Sequence, residues 1–224
     1  MATLTDQFIV AGKTVRDELI LSNVGSVNKY SIIKPGVDSG HKFDSEVARN
    51  QFGISKNSFV VGWMGRFEHI KSPNRVLELA INFPSIIFLM AGDGSLFEEI
   101  KSKAPTNLLM PGWCDANEIW SASDIALLTS ENEALPIALI EAGLAGLPMV
   151  AENVGAVSEV ITSESTGFLC SSFEERVQAI TLLARDKQLR NQMGEKARKF
   201  CLSEFNLLEF TKRHIDVYLG VLSK

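Results

Sequence analysis

Residues 59–94 read FVVGWMGRFEHIKSPNRVLELAINFPSIIFLMAGDG. An apolar run, Phe59–Met64, is followed by a turn, an amphipathic stretch, Pro73–Ile81, and a second apolar run, Ile86–Ala91. Runs without polar alternation suit strands covered on both faces, and a helix between two of them is the connection a parallel pair requires. Ser72-Pro73 reads as the helix start, a capping hydroxyl followed by a first-turn proline. The alternation extends both ways. Upstream, Gln7–Val10 and Ser31–Ile33 read as strands, with helices over Thr14–Ser22 and Phe43–Phe52. Downstream come strands Leu108–Met110, Ile125–Leu128, Pro148–Ala151 and Gly167–Leu169, and helices Leu96–Lys103, Ala116–Ala122, Pro136–Ala145, Phe173–Arg185, Lys187–Leu202 and Leu207–Leu222. Repeated strand–helix units define an α/β fold on a mostly parallel sheet.

Composition narrows the function classes. Over 224 residues, 46% hydrophobic and 22% charged side chains exclude a disordered or collagen-like chain. The net charge of −5, from 22 basic and 27 acidic residues, argues against nucleic-acid binding through a broad basic surface. Cys114, Cys170 and Cys201 are widely spaced and outside any CxxC pattern, so neither a disulfide framework nor a zinc site is expected. The N-terminal MATLTDQFIVAGK lacks a basic region ahead of a long apolar core, and Ile86–Ala91 is too short to span a bilayer. The expected location is cytoplasmic. The turn-rich KPGVDSGHKFDSEVARNQFGISKNS separates residues 1–56 from a central unit, 57–202. Residues 203–224 form a last helix whose Leu207, Leu208, Phe210, His214, Ile215, Tyr218, Val221 and Leu222 make a broad apolar face. That face packs on this same domain or meets a partner or a membrane surface; the first is the simpler expectation.

Two stretches carry chemistry. Gly62-Trp63-Met64-Gly65-Arg66 ends a strand, and Lys71 precedes a helix. Glycines let a ligand approach the backbone, a helix N-terminus offers free N–H groups, and two cations complete a diphosphate clamp. Arg66 suits bidentate contact with phosphate and Lys71 acts as a mobile point charge. The same residues also describe a surface turn with solvated charges. They match neither GxxxxGK[ST] nor GxGxxG, so an ordinary NTPase or dinucleotide dehydrogenase is disfavoured. In SENEALPIALIEAG, residues 130–143, Glu141 is the only charge on an otherwise apolar helix, and a carboxylate there must be paired or face a wet cleft. Glu133 stands eight residues earlier, so both carboxylates can line one cleft and accept bonds from hydroxyls, or Glu133 is solvated and Glu141 closes a local network. Gly92-Asp93-Gly94 is most simply a tight turn.

With these residues in place, the chain from Val60 to Leu169 resembles the C-terminal, donor-binding domain of the retaining glycosyltransferases of family 4, also called glycosyl transferases group 1, which adopt the GT-B fold. The resemblance rests on VVGWMGRFEHIKSPNRVLELA, FLMAGDGS, LMPGW, SASDIALLTSENEALPIALIEAGLAGLPMVAENVGAVSEVI and TGFLC, in family order. DQFIVAGKTVRDEL and YSIIKPGVDSGHKF resemble the end of the family's N-terminal domain and its connection, and FNLLEFTKRHIDVYLGVL its crossing helix. What the resemblance implies is a Rossmann-like sheet sandwiched by helices. Arg66 and Lys71 would bind the donor diphosphate, with Gly65 at the strand end, and Glu133 the transferred sugar. Glu141 would bind the ribose hydroxyls, and the backbone around Leu135, Pro136 and Ile137 would add phosphate contacts. Gly112-Trp113 would wall the nucleobase, although a tryptophan there is more often packing. The implied donor is a UDP-, GDP- or ADP-linked sugar, transferred with retention as in a hexosyltransferase of polysaccharide or glycolipid synthesis. No cofactor and no metal are expected.

Two departures follow. Family enzymes are about twice as long, so the acceptor-binding half is missing, and turnover by this chain alone is not expected. Peripheral membrane association would come through that half, and its partly apolar seat would favour dimers of the isolated chain. Ala134 stands where the family commonly has glycine; if that position needs a positive φ, alanine strains the loop by ~1 kcal/mol. The alternative functions are a stand-alone nucleotide-sugar binding module without turnover, and a sibling GT-B enzyme such as a sugar-phosphate synthase or an epimerase, which the family's E-x7-E pattern, falling here on Glu133 and Glu141, disfavours.

Overall fold

A computed structural model describes residues 4–38 and 44–223 of the chain. Phe43, the expected start of the second helix, lies outside the described residues. The chain begins with a small parallel pair, β1 (Phe8–Val10) and β2 (Tyr30–Ile32), joined by α1 (Lys13–Leu21). Helix α2 (Ser45–Gln51) follows, with the Asp44 carboxylate accepting from the N–H groups of Glu46 and Val47 as its N-cap.

The main sheet is built from β3 (Val60–Met64), β4 (Ile87–Ala91), β5 (Leu108–Gly112), β6 (Ile125–Leu128), β7 (Met149–Glu152) and β8 (Gly167–Cys170). Its connecting helices are α3 (Pro73–Asn82), α4 (Phe97–Lys103), α5 (Ala116–Ala122) and α6 (Ile137–Leu144), and α7 (Phe173–Arg185), α8 (Lys187–Glu204) and α9 (Leu207–Leu222) end the chain. All six strands are parallel, in the order β5-β4-β3-β6-β7-β8. The chain starts in the middle at β3, steps outward to β5, then returns past β3 to lay down β6, β7 and β8. That reversal opens a crevice at the carboxyl ends of β3 and β6, where ligands of such sheets bind.

Alternate strand residues face opposite layers, as a two-residue period requires. Val60, Leu89, Ala126 and Leu128 pack with α5 and α6 on one face. Val61, Trp63, Phe88, Met90 and Leu127 pack with α3 and α7 on the other. Gly62 is bare because a Cβ there would stand 2.2 Å from the Ser123 hydroxyl.

The structure moves several expected boundaries. Helix α2, placed by sequence among residues 1–56, is fastened to the main unit. Arg49 donates to Ala122 O, Lys56 O and Ser58 O and pairs with Asp124 at 2.8 Å. Ser72 is not the side-chain cap of α3: it adopts φ 46°, ψ 55°, and its hydroxyl donates toward His69 O and Glu131 instead. Helix α9 does not sink its apolar face into the domain. None of its residues is buried, and Leu208, Tyr218, Leu219 and Leu222 are exposed, although Val217, Tyr218 and Val221 stand beside Thr5–Ile9. Among the described residues no helix is long and apolar enough to cross a membrane.

Candidate functional site

The loops that leave β3 and β6 are knitted together across the crevice. From the β6 side, the Thr129 hydroxyl donates to Lys71 O at 2.9 Å and accepts from Trp63 Nε1 at 3.0 Å. Glu131 N donates to Ile70 O at 2.8 Å, and Arg75 Nη1 donates to Thr129 O at 3.0 Å. Ser72 completes the seam in a left-handed conformation, which costs a non-glycine residue about 1–2 kcal/mol. Such strain gathers at functional loops.

This seam presents Lys71 to Glu133. The ammonium donates to Glu133 Oε1 at 2.5 Å, and the Ser130 hydroxyl donates to the same oxygen at 2.6 Å. The Glu133 side chain is only 9% exposed and that of Lys71 22%. A charge-assisted bond in such a setting is strong, and a competing anion for Lys71 would release the carboxylate to accept from a hydroxyl. Arg66, at the tip of the β3 loop, is exposed, and its guanidinium makes no hydrogen bond or ion pair among the described residues, although its carbonyl accepts from Glu68 N at 2.8 Å. Its neighbour Glu68 accepts from Ser95 N and Oγ at 3.0 and 2.8 Å, bonds that lower the carboxyl's pKa, with the Arg66 charge adding to them.

Gly65 contributes bare backbone rather than a donor, since its N–H is spent on Ala91 O at 3.1 Å. At the start of α6 the N–H groups of Leu135, Ile137 and Ala138 have no acceptor among the described residues, and Pro136, the N-cap, has no N–H to give. The donors expected around Leu135, Pro136 and Ile137 are therefore those of Leu135, Ile137 and Ala138. Ala134 is not among the residues with positive φ, so the expected strain is absent.

Glu141 lies on α6 and lines a recess. With Asp38, Ala116, Asn117 and Trp120 it lines a cavity of about 150 Å³ between α5 and α6. Trp113, which follows β5, is 79% exposed, so it does not pack in the core. Among the described residues no three His, Cys, Asp or Glu side chains gather as a metal centre would need. Ser130, Thr129 and Arg75, which hold Lys71 and Glu133 in place, were not singled out by sequence. The only signal they give is a pair of hydroxyls, fully buried, directly after an apolar strand.

The chain spans about half the length of the curated relatives it matches. It is 29% identical over 214 residues to the Escherichia coli UDP-Gal:alpha-D-GlcNAc-diphosphoundecaprenol alpha-1,3-galactosyltransferase, covering 87% of this chain and 55% of that protein. It is also 29% identical over 220 residues to the N-acetyl-alpha-D-glucosaminyl L-malate synthase of Bacillus anthracis, covering 92% of this chain and 56% of that protein. Among solved structures, Anabaena HepE in complex with UDP and glucose superposes with a TM-score of 0.86 at 21% identity, over 95% of this chain and 62% of that one. WaaG, a glycosyltransferase involved in lipopolysaccharide biosynthesis, gives 0.79 at 20% identity, over 93% and 61%. The two solved structures share the fold of this chain. The family model for glycosyl transferases group 1 matches residues 44–200, from the N-cap of α2 to the body of α8, and the chain belongs to that family.

Proposed function

We propose that the crevice between β3 and β6 binds a nucleoside-diphosphate sugar, as the donor half of a GT-B glycosyltransferase that transfers a hexose with retention. The observation that carries this reading is the Lys71–Glu133 pair at 2.5 Å, set at the switch point beside exposed Arg66 and the open N–H groups of α6. A diphosphate would draw Lys71 away from Glu133. As the bond from the anomeric carbon to the β-phosphate oxygen breaks, the electron pair stays on that oxygen, where Lys71, Arg66 and the α6 amides stabilise the charge; the acceptor hydroxyl oxygen bonds to the same face of the anomeric carbon and its proton passes to the departing phosphate. Glu133, relieved of its partner, accepts from a sugar hydroxyl, and Glu141 from the ribose at the edge of its recess. Trp113 walls the base. The acceptor would sit across the crevice, on a part for which the greater length of the curated relatives leaves room.

Calorimetric titration with UDP, GDP and ADP, then with their sugar conjugates, tests the reading. One nucleotide should bind, with weaker binding by Glu141→Ala, and no binding at millimolar concentration overturns it. Lys71→Ala should weaken that binding by about 1–3 kcal/mol, the worth of a charge-assisted contact. Unchanged affinity removes Lys71 from the site. Because Arg66 and Lys71 supply the positive charge in this reading, titration in excess EDTA should give the same affinity, and a large loss would show that a metal takes part.

A further inference from the structure

One turn touches both the Glu133 loop and the segment ahead of the main sheet. Ala156 N donates to Glu133 O at 2.9 Å. Beside it Gly155 adopts φ 49°, where a Cβ would stand 2.1 Å from that same oxygen. At the other end of the turn the Glu159 carboxylate reaches α1, with Oε1 accepting from Thr14 N at 2.7 Å and Oε2 from Lys13 N at 2.9 Å. These are the first N–H groups of α1, whose N-cap is Gly12 and has no side chain to satisfy them. The cap is supplied instead from 145 residues away. Burial opposes ionisation of Glu159, but the bonds from Thr14 and Lys13 outweigh it and hold the carboxyl below its ordinary pKa.

The turn between these two ends is stiff. Glu159 N donates to Ala156 O at 3.0 Å and Val157 N to Val154 O at 3.1 Å, and Ala156, Val157 and Val160 are fully buried. A close-packed segment shifts as a unit. By contrast α1 buries none of its residues. Glu159 therefore holds the first turn of α1 by hydrogen bonds where no side chain is fully buried.

We propose that Glu159 is a positioning residue that couples the place of α1 to the place of Glu133, so that movement of the β1–α1–β2 unit is felt at the sugar end of the donor crevice. The assignment of Glu133 to the sugar is the proposed function's, and the coupling adds to it. A shift of α1 either drags residues 155–159 and the Glu133 carbonyl with it or breaks the two Glu159 bonds. The contact thereby registers whether the unit ahead of the main sheet is seated.

Two variants of the full chain test this from opposite sides. Glu159→Ala removes the carboxylate. Lys13→Pro removes one of the N–H groups it accepts from, at a first helical position that favours proline and after a Gly12 whose φ −153°, ψ 169° suits a residue before proline. Hydrogen exchange is read at the hydrogen-bonded amides of Glu131 and Ala156 and across α1, and affinities for UDP and UDP-glucose by calorimetry. In both variants the Glu131 and Ala156 amides should exchange about fivefold faster or more, together with the first turn of α1. UDP-glucose affinity should fall about five- to tenfold, the low end of ordinary coupling, while UDP affinity stays within about twofold. Faster exchange confined to α1, with Glu131 and Ala156 at their wild-type rates, would overturn the coupling and leave Glu159 a local cap. If Glu159→Ala does not fold, Lys13→Pro alone decides. A wild-type chain that binds neither nucleotide would sink the donor assignment, yet the exchange rates would still decide the coupling.

Discussion

Arg176→Met is expected to destabilise the chain by about 3–5 kcal/mol, the loss usual when one partner of a buried ion pair is removed. For a domain of this size that lowers Tm by roughly 10 °C. Arg176 Nη1 donates to Glu152 Oε1, and both residues are 5% exposed. The other cation near Glu152 is Arg75, 3.6 Å away with its side chain 35% exposed, so Glu152 would be left inside with poor compensation. Burial already pushes the Glu152 carboxyl above its ordinary pKa, against the pull of Arg176 and Arg75. The sign of the pH dependence follows. A carboxyl whose folded-state pKa is raised contributes stability below its unfolded value, near ~4.3, and that contribution is lost as pH rises through the folded value. The deficit of Arg176→Met should therefore be smaller at pH 5 than at pH 8, as thermal melts at the two values would read. Adding Glu152→Leu should recover most of the loss, since an apolar pair tolerates burial better than a lone charge. A single variant that melts within ~2 °C of wild type, or a double variant no better than the single, would show that the pair does not hold this region. The consequence reaches the crevice. Glu152 steadies Arg75, Arg75 donates to Thr129 O, and Thr129 precedes the Ser130 that holds Glu133.

The sheet was legible in the sequence because each central strand is a short run of Val, Ile, Leu, Phe or Ala covered on both faces, and a two-sided strand writes itself as an unbroken run. Arg66, Lys71 and Glu133 were legible as residue types in the right order at strand ends. What links them was not. Thr129 and Ser130 look like ordinary loop residues until the return past β3 brings the β6 loop against the β3 loop, a contact that joins residues 58 positions apart. Ser72 was misread for a related reason. Its hydroxyl has competing acceptors, in His69 O and across the seam in Glu131, and a left-handed backbone carries it away from the free N–H groups of α3. Glu141 reads in the sequence only as a lone charge on an apolar helix, and the recess it lines with Ala116, Asn117 and Trp120 depends on how α5 and α6 pack, which no local pattern encodes. Helix α9 shows the limit of amphipathic pattern, which marks an apolar face without naming what covers it.

Gly92→Ala should be the most damaging single methyl group near the crevice. Sequence reads Gly92-Asp93-Gly94 only as a turn, but the turn is wedged against the β3 loop. Gly92 has φ 132°, and a Cβ there would stand 1.9 Å from Gly65 O. The conformation alone costs an L-residue about 1–3 kcal/mol. The contact adds to this, because its other side is backbone. Gly65 cannot yield freely, since its N–H is bonded to Ala91 O at 3.1 Å, and Phe67 N donates to Asp93 O at 2.9 Å on the far side of Arg66. To make room, the peptide between Gly65 and Arg66 must rotate and carry the guanidinium out of place. Gly112→Ala is the control. Gly112 also has a positive φ, 87°, but a Cβ there meets nothing within 4 Å, so it isolates the conformational cost. Gly92→Ala should therefore unfold at lower denaturant than Gly112→Ala. It should also bind UDP at least about tenfold more weakly than wild type, because displacing a charged contact by an ångström is enough to lose it. Equal stability of the two variants would mean that the β3 loop gives way at no cost. Arg66 would then stand in a loop too soft to be preorganised for a diphosphate, and the clamp would have to rest on Lys71 and the amides of α6.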